Sequence, residues 1–542
     1  MRKVILFGID GGSLKLIERW KDELPNFKRI MEGSVFGELE STVPPLSCPA
    51  WPCMFTGKNP GKLGMYDFIS LQPMQEQGLR VFNSSDYHNS SIWKILNDYG
   101  KKVGLLNVPI TFPPHRIDSF MVCGLGTPQT ANTNYTYPPE LKNKLSEIVG
   151  GYEVLPAIVL TRHGEEKEYL KMFNETLSKG VKAAQYLMSS FPWDLFVCVF
   201  FVSDVVQHYF WHHMDVNHPR HVDNSAYKDA IKNFYKRIDE AIGTLTKQFQ
   251  KDTDILIVSD HGFGPLYGGF SINKWLQDND FLRYQSSIQD EPMKSGLLKL
   301  RDFLLIRLNL RLIHLITRLM PDTLAQRLVF TAEEKDQTLK MLRSINWTRT
   351  KAYALGQMGK IFINLKGRQP NGIVEPGREY ERVRDDIIEG LYQMVNPETG
   401  KSLGFQIYKR EELYHGQFAD LAPDIVVVAE KYYPLTSSSE LRLCEPTTAI
   451  SATHTRQGVF MAFGTDIKKE GLRLVGLKIY DIAPTILHIL GLPVPKDMDG
   501  RVVSEIFKPG AEPATRPVVC EEVNERQRIR GKIKRLKASG SV

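Results

Sequence analysis

The chain has 542 residues, 42% hydrophobic, 10% aromatic and 24% charged, which is ample for a large buried core and excludes a disordered or fibrous protein. Its net charge of +7 is modest for that length, and part of it sits in the basic stretch RQRIRGKIKRLK at 526–537, so the body is close to neutral. Cys48, Cys53, Cys123, Cys198, Cys444 and Cys520 are scattered without a C-x-x-C spacing, which argues against a disulfide framework or a cysteine zinc site.

The first predicted element is a strand, KVILFGID, whose apolar run is cut off by Asp10 too early for a signal peptide. No stretch reaches the ~18 uninterrupted apolar residues of a spanning helix. A cytoplasmic protein is therefore expected. Similar runs follow as KKVGLLNV, WDLFVCVFFVSD, TDILIVSDHG, DIVVVAE and GVFMAFG. They are nearly continuous in apolar residues, as strands covered on both faces are. Between them SIWKILNDY, EYLKMFNETLSKGVKAAQYLM and YKDAIKNFYKRIDEAIGTLTKQF carry helical patterns. This alternation predicts an α/β fold with a mainly parallel β-sheet flanked by helices.

The stretch 281–350 differs. Its LLKLRDFLLIRLNLRLIHLITRLMP places Arg307, Arg311, His314 and Arg318 on one face of a predicted helix otherwise rich in leucine and isoleucine. We read it as a helical cap inserted into the core, giving four parts: 1–280, the first part of the catalytic core; 281–350, the cap; 351–510, the second part of the core; and 511–542, a basic tail. A basic amphipathic helix or a basic tail is also a surface for an anionic membrane or for nucleic acid. The oligomeric state is not legible in one chain.

Three predicted strands end in acids: GID at Asp10, VSD at Asp204 and VSDHG at Asp260 and His261. Ligands of open α/β sheets bind beyond the carboxyl ends of strands, so these groups are expected to converge. Asp204 and His208 are spaced D-x-x-x-H, which puts both on one face if a helix starts after the strand. With His454 in SATHTRQG, the chain offers carboxylates and imidazoles in the number that a pair of metal ions requires.

GIDGG, STVPPLSCPAWPCMFTGKNPGKLG, SDVVQH, VSDHG, THTRQG and YDIAPTILHILGLPVPKDMDG, in that order over residues 1 to about 507, resemble the alkaline phosphatase superfamily and, within it, the type I phosphodiesterase/nucleotide pyrophosphatase family. The resemblance implies an alkaline-phosphatase-like core and a metal-dependent hydrolase of phosphodiesters or phosphoanhydrides, acting on a phosphate-ester small molecule through a phosphoseryl intermediate. It places the nucleophile at Ser47, one metal on Asp204, His208 and His454, and a second on Asp10, Asp260, His261 and the Ser47 oxygen. The two divalent ions are zinc in most of the family, manganese or magnesium in some branches. The position after Pro49, Asn in the nucleotide pyrophosphatases, is Ala50 here, which leaves open the group that holds a phosphate oxygen.

The rival readings are a phosphomonoesterase, for which Lys58, Lys62 and Arg456 are the candidate extra cations around the phosphate; a sulfatase, disfavoured because Trp51 stands where its [CS]-x-P-x-R pattern needs arginine; and a non-catalytic, membrane-associated binding protein.

Overall fold

The computed structural model describes residues 2–70, 80–128, 130, 132–154, 165–247, 249, 252–285, 338–356, 358–396, 400–429, 432–435, 444–445 and 450–522. Nine strands form the central sheet: β1 (Lys3–Ile9), β2 (Val35–Glu40), β3 (Val103–Val108), β4 (Ser119–Cys123), β5 (Thr136–Tyr137), β6 (Leu195–Phe200), β7 (Thr253–Val258), β8 (Gln457–Gly464) and β9 (Leu472–Lys478). Their spatial order is β9-β2-β8-β7-β1-β6-β3-β4-β5. From β7 through β1, β6 and β3 to β4 all neighbours are parallel.

This parallel centre explains the apolar runs. Every residue of β6 and β7 is buried, as is β1 after Lys3, because helices cover both faces and no strand position meets water. Helices Glu166–Ser190, Val202–Met214 and Ala230–Thr246 pack on one another, and Ser47–Thr56, Ile92–Asp98 and Ile482–Ile489 form another packed group.

Two of the expected parallel strands behave differently. GVFMAFG is β8, which runs antiparallel to both β2 and β7. DIVVVAE contributes Ile425–Ala429 to a separate antiparallel sheet, with Ala352–Ala354, Lys360–Ile363 and Phe405–Lys409. Helix Arg378–Tyr392 covers that sheet, and Ile361, Ile363, Ile387, Leu391 and Val426 fill its own core. An apolar run reports burial on both faces, and the middle of a covered antiparallel sheet supplies that as well as a parallel one does.

Within 351–510, therefore, residues 352–429 build the second sheet and the chain rejoins the central one at β8. Of the span 281–350, Leu282, Leu342 and Ile345 are buried in the second core. The face bearing Arg307, Arg311, His314 and Arg318 lies outside the described residues, as does the basic stretch 526–537. Among the described residues no helix is long and apolar enough to cross a membrane.

Candidate active site

The register of β1, β6 and β7 builds the site. Ile9 pairs with Phe200 and Gly8 with Val258, so the three strands end side by side and the chain segments leaving them meet. Asp10 follows β1 directly, and Asp260 and His261 lie just past β7. Asp204 is not at a strand end as expected; it occupies the first turn of helix Val202–Met214, with His208 one turn further on. The acidic residue suits the helix N-terminus, where the free N–H groups favour negative charge.

Ser47 opens helix Ser47–Thr56. Cys48 has non-helical angles (φ −107°, ψ 100°), so regular helix starts at Pro49, where a proline costs no hydrogen bond. The helix stops at Gly57, whose φ of 67° lets its N–H reach the Cys53 carbonyl at 2.9 Å. Ser47 Oγ is 3.4 Å from Asp10 Oδ1 and 3.3 Å from His261 Nε2. Cys48 and Cys53 are fully buried, and burial pushes both thiols well above the usual range, which leaves them inert. Ala50 is buried too and brings no polar group that could hold a phosphate oxygen.

The three histidines share one orientation. Nδ1 of His208 lies 2.7 Å from the Ala452 carbonyl, Nδ1 of His454 2.9 Å from the Pro45 carbonyl, and Nδ1 of His261 3.1 Å from the Gly262 carbonyl. A carbonyl only accepts, so each Nδ1 carries the hydrogen and each neutral ring turns an Nε2 lone pair inward. Those lone pairs crowd against carboxylates. His208 Nε2 is 3.1 Å from His454 Nε2 and 3.5 Å from Asp204 Oδ2; His454 Nε2 is 3.1 Å from Asp204 Oδ1; His261 Nε2 is 3.2 Å from Asp260 Oδ2 and 3.6 Å from Asp10 Oδ1.

Burial, reinforced by the charges of Asp260 and Asp204, pushes the Asp10 carboxyl well above its ordinary range. Burial also pushes Asp260 up to about 7. At Asp204 burial acts the same way, but the adjoining His208 and His454 outweigh it and hold the carboxyl below its ordinary range. Burial drives His261 and His208 down, whereas at His454 the Asp204 carboxylate outweighs burial and raises the ring. Buried oxygens Asp204 Oδ1 and Asp260 Oδ2 receive no hydrogen bond. Inward lone pairs and undonated carboxylate oxygens fit divalent cations, which would satisfy both at once. Two groups have ligand atoms within 4.8 Å of one another, Asp10 with Asp260 and His261, and Asp204 with His261 and His454. His261 stands between them, and His208 adjoins the second.

The sequence profile of the type I phosphodiesterase / nucleotide pyrophosphatase family matches residues 4–457, an interval that contains every one of these groups. The chain belongs to that family. It is a hydrolase of the phosphodiesterase/nucleotide pyrophosphatase kind. No curated protein sequence matches it. Similar solved structures include human ectonucleotide pyrophosphatase / phosphodiesterase 5, 14% identical with TM-score 0.47 over 91% of this chain and 95% of that one. The murine counterpart is 13% identical with TM-score 0.49 over 94% and 100%. An inactive variant of the murine protein in complex with AMP is 13% identical with TM-score 0.48 over 91% and 96%.

The proposed extra cations of this phosphodiesterase-family chain have carboxylate partners. Lys58 Nζ lies 2.5 Å from Asp497 Oδ2, Lys62 Nζ 2.6 Å from Asp499 Oδ1, and Arg456 bonds Glu40 and, at 2.8 Å, the Tyr408 hydroxyl. The first two pairs bind the turn after helix Ser47–Thr56 to the loop at 497–499.

Several supporting residues were not singled out from the sequence. Ser203 Oγ donates to the Asp10 carbonyl at 2.7 Å, and Ser259 Oγ accepts from Gly12 N at 2.8 Å. Gln207 Nε2 donates to the Gly11 carbonyl at 2.9 Å. The signal for the serines was present: VSD occurs twice, and in both copies the serine fixes the GIDGG loop while the aspartate faces the site. Trp51, read only as the absence of an arginine, donates its indole N–H to Asp10 Oδ2 at 3.0 Å.

Proposed function

We propose that the chain hydrolyses phosphodiester or phosphoanhydride bonds of nucleotide-type substrates with two divalent cations, zinc being the best match to this imidazole and carboxylate set, through a phosphoseryl intermediate on Ser47. The observation that carries this reading is the ring of inward Nε2 lone pairs and buried carboxylates around one serine hydroxyl. Asp10, Asp260, His261 and Ser47 would hold one cation, and Asp204, His208 and His454 the other. Bound there, they would lower the pKa of the serine hydroxyl and neutralise charge on the transferring phosphoryl group.

The chain's own residues then account for the steps. Ser47 Oγ forms a bond to phosphorus as the ester or anhydride oxygen of the leaving group departs on the opposite side, and the hydroxyl proton has an acceptor in Asp10 Oδ1. The helix beginning at Pro49 turns its N-terminal end toward the same place, which favours the phosphoryl charge. Water then cleaves the Ser47–phosphorus bond and regenerates the hydroxyl. The carbonyls of Ala452, Pro45 and Gly262 keep the rings in one tautomer through both halves.

A phosphomonoesterase would gain from further cations at the phosphate, but Lys58, Lys62 and Arg456 are bonded to acids and lend that reading no support. Hydrolysis of bis(4-nitrophenyl) phosphate and 4-nitrophenyl phosphate, with metal content measured on the same protein, tests the proposal. We expect diester turnover that disappears on chelation, a phosphorylated Ser47 in acid-quenched samples, and at least a thousandfold loss of turnover in Ser47→Ala. Full activity in Ser47→Ala would end the mechanism, and a preference for the monoester would replace the substrate class.

A further inference from the structure

Trp51 lies on the same short helix as Ser47 and is wholly buried. Its ring lies against β1 at Gly8: a Cβ there would come within 2.5 Å of Trp51 Cη2 and 2.9 Å of Val199 Cγ2. The bare strand at Gly8 is thus what lets an indole rest on the sheet backbone two residues before Asp10. One turn along the helix, Phe55 stacks on the ring, with centroids 5.8 Å apart and planes 15° from parallel. Held on both sides, the indole points its N–H at Asp10 Oδ2, 3.0 Å away. The other carboxylate oxygen, Oδ1, faces Ser47 Oγ at 3.4 Å and His261 Nε2 at 3.6 Å.

We propose that Trp51 is a positioning residue of the metal centre: its indole N–H holds Asp10 so that Oδ1 faces the cation site and couples the placement of that ligand to the helix carrying the nucleophile. The inference rests on the two-cation reading above. A tryptophan suits the task because its indole is a donor only and does not titrate, so it orients the carboxylate without adding a positive charge that would repel the ion. A residue that merely filled the core would need the ring but not the N–H. That difference separates the two roles, since a ligand's outer partners affect metal affinity by roughly 10- to 100-fold.

The full chain is stripped of metal and titrated with Zn2+ by calorimetry as wild type, with 3-benzothienylalanine at position 51, which keeps the ring shape and replaces N–H by sulfur, and as Phe55→Leu, which loosens the stack and keeps the donor. We expect two sites in wild type, one of them weakened about 10- to 100-fold in the benzothienyl protein and unchanged in Phe55→Leu. On an Asp10→Asn background the position-51 replacement should cause no further loss. Wild-type affinity in the benzothienyl protein, or an equal loss in Phe55→Leu, overturns the role of Trp51 and leaves the two-cation reading standing. A wild-type chain that takes up no Zn2+ overturns that reading itself. A readout on unaltered protein removes any dependence on the variants folding: among the seven tryptophans, one indole N–H resonance should shift on addition of Zn2+ in 15N-tryptophan-labelled wild type. No indole resonance responding to Zn2+ overturns the proposal.

Discussion

Asp254 and Asp260 lie near opposite ends of β7, about 20 Å apart at the usual rise per residue, and both are buried carboxylates. Only Asp260 has histidines for company. Asp254 accepts the Asp466 N–H at 2.9 Å, and burial pushes its carboxyl up to about 7 despite the pull of Arg2 and Lys508. Because the folded value lies above the unfolded one, the protonated form is what the fold favours. The associated stability is fully present below the ordinary carboxylate value near 3.8 and is lost as pH rises through about 7. Asp254→Asn keeps an acceptor for Asp466 and removes the charge. The melting temperature of the variant relative to wild type should therefore climb between pH 5 and pH 8, with an upper bound of about 1.4 kcal/mol per pH unit. A difference that stays flat over that interval would show that Asp254 ionises freely in the folded chain.

At the scale of elements, the sequence located nearly every strand and helix that positions the site, because continuous apolar runs and helical spacing report burial directly. Orientation was less accessible. GVFMAFG and DIVVVAE have the composition of parallel strands, yet their partners are antiparallel and one lies in a second sheet, since pairing depends on distant segments. The candidate ligands were legible because chemistry restricts such groups largely to Asp and His. The repeated VSD marked Ser203 and Ser259, but the groups they bond, like the target of the Trp51 indole, appear only once β1 lies beside β7 and the helices. Lys360 illustrates the same limit. It starts a strand of the second sheet, but its ammonium is fully buried 2.9 Å from Asp67, which lies beyond helix Ser47–Thr56 in the chain, and Cys48 Sγ donates to the Asp67 carbonyl. Removing one partner of such a pair leaves a buried charge and costs about 3–5 kcal/mol. Lys360→Met should lower the melting temperature sharply, and Asp67→Asn in the same chain should recover much of the loss. Equal stability of Lys360→Met and wild type would mean that water reaches the pair.

Across the whole molecule, the segment around Ser47 joins two cores. Cys48, Ala50, Trp51, Met54 and Phe55 pack into the central one, whereas Val43, Tyr66 and Ile69 on either side belong to the second, and the Tyr414 hydroxyl of the second unit donates to the Val43 carbonyl at 2.6 Å. Strain in the candidate metal site should therefore be felt by the entire fold. Asp10, Asp204 and Asp260 place three carboxylates in one buried cluster, and like charges at such range destabilise a site with no cation among them. An ion that binds only the folded chain adds stability by mass action, about 2.7 kcal/mol when its concentration is a hundredfold above Kd. Chelation should thus lower the melting temperature by several degrees, and Zn2+ should restore it. Asp10→Asn supplies the sharper comparison. It removes one of the crowded charges but retains an oxygen for the Trp51 N–H, so the metal-free variant should melt above metal-free wild type. With Zn2+ saturating wild type the order should reverse, because the variant has lost a charged ligand. Scanning calorimetry of both proteins with and without Zn2+ reads this crossing. A variant less stable than wild type in both states would assign Asp10 an architectural role in place of a ligand's.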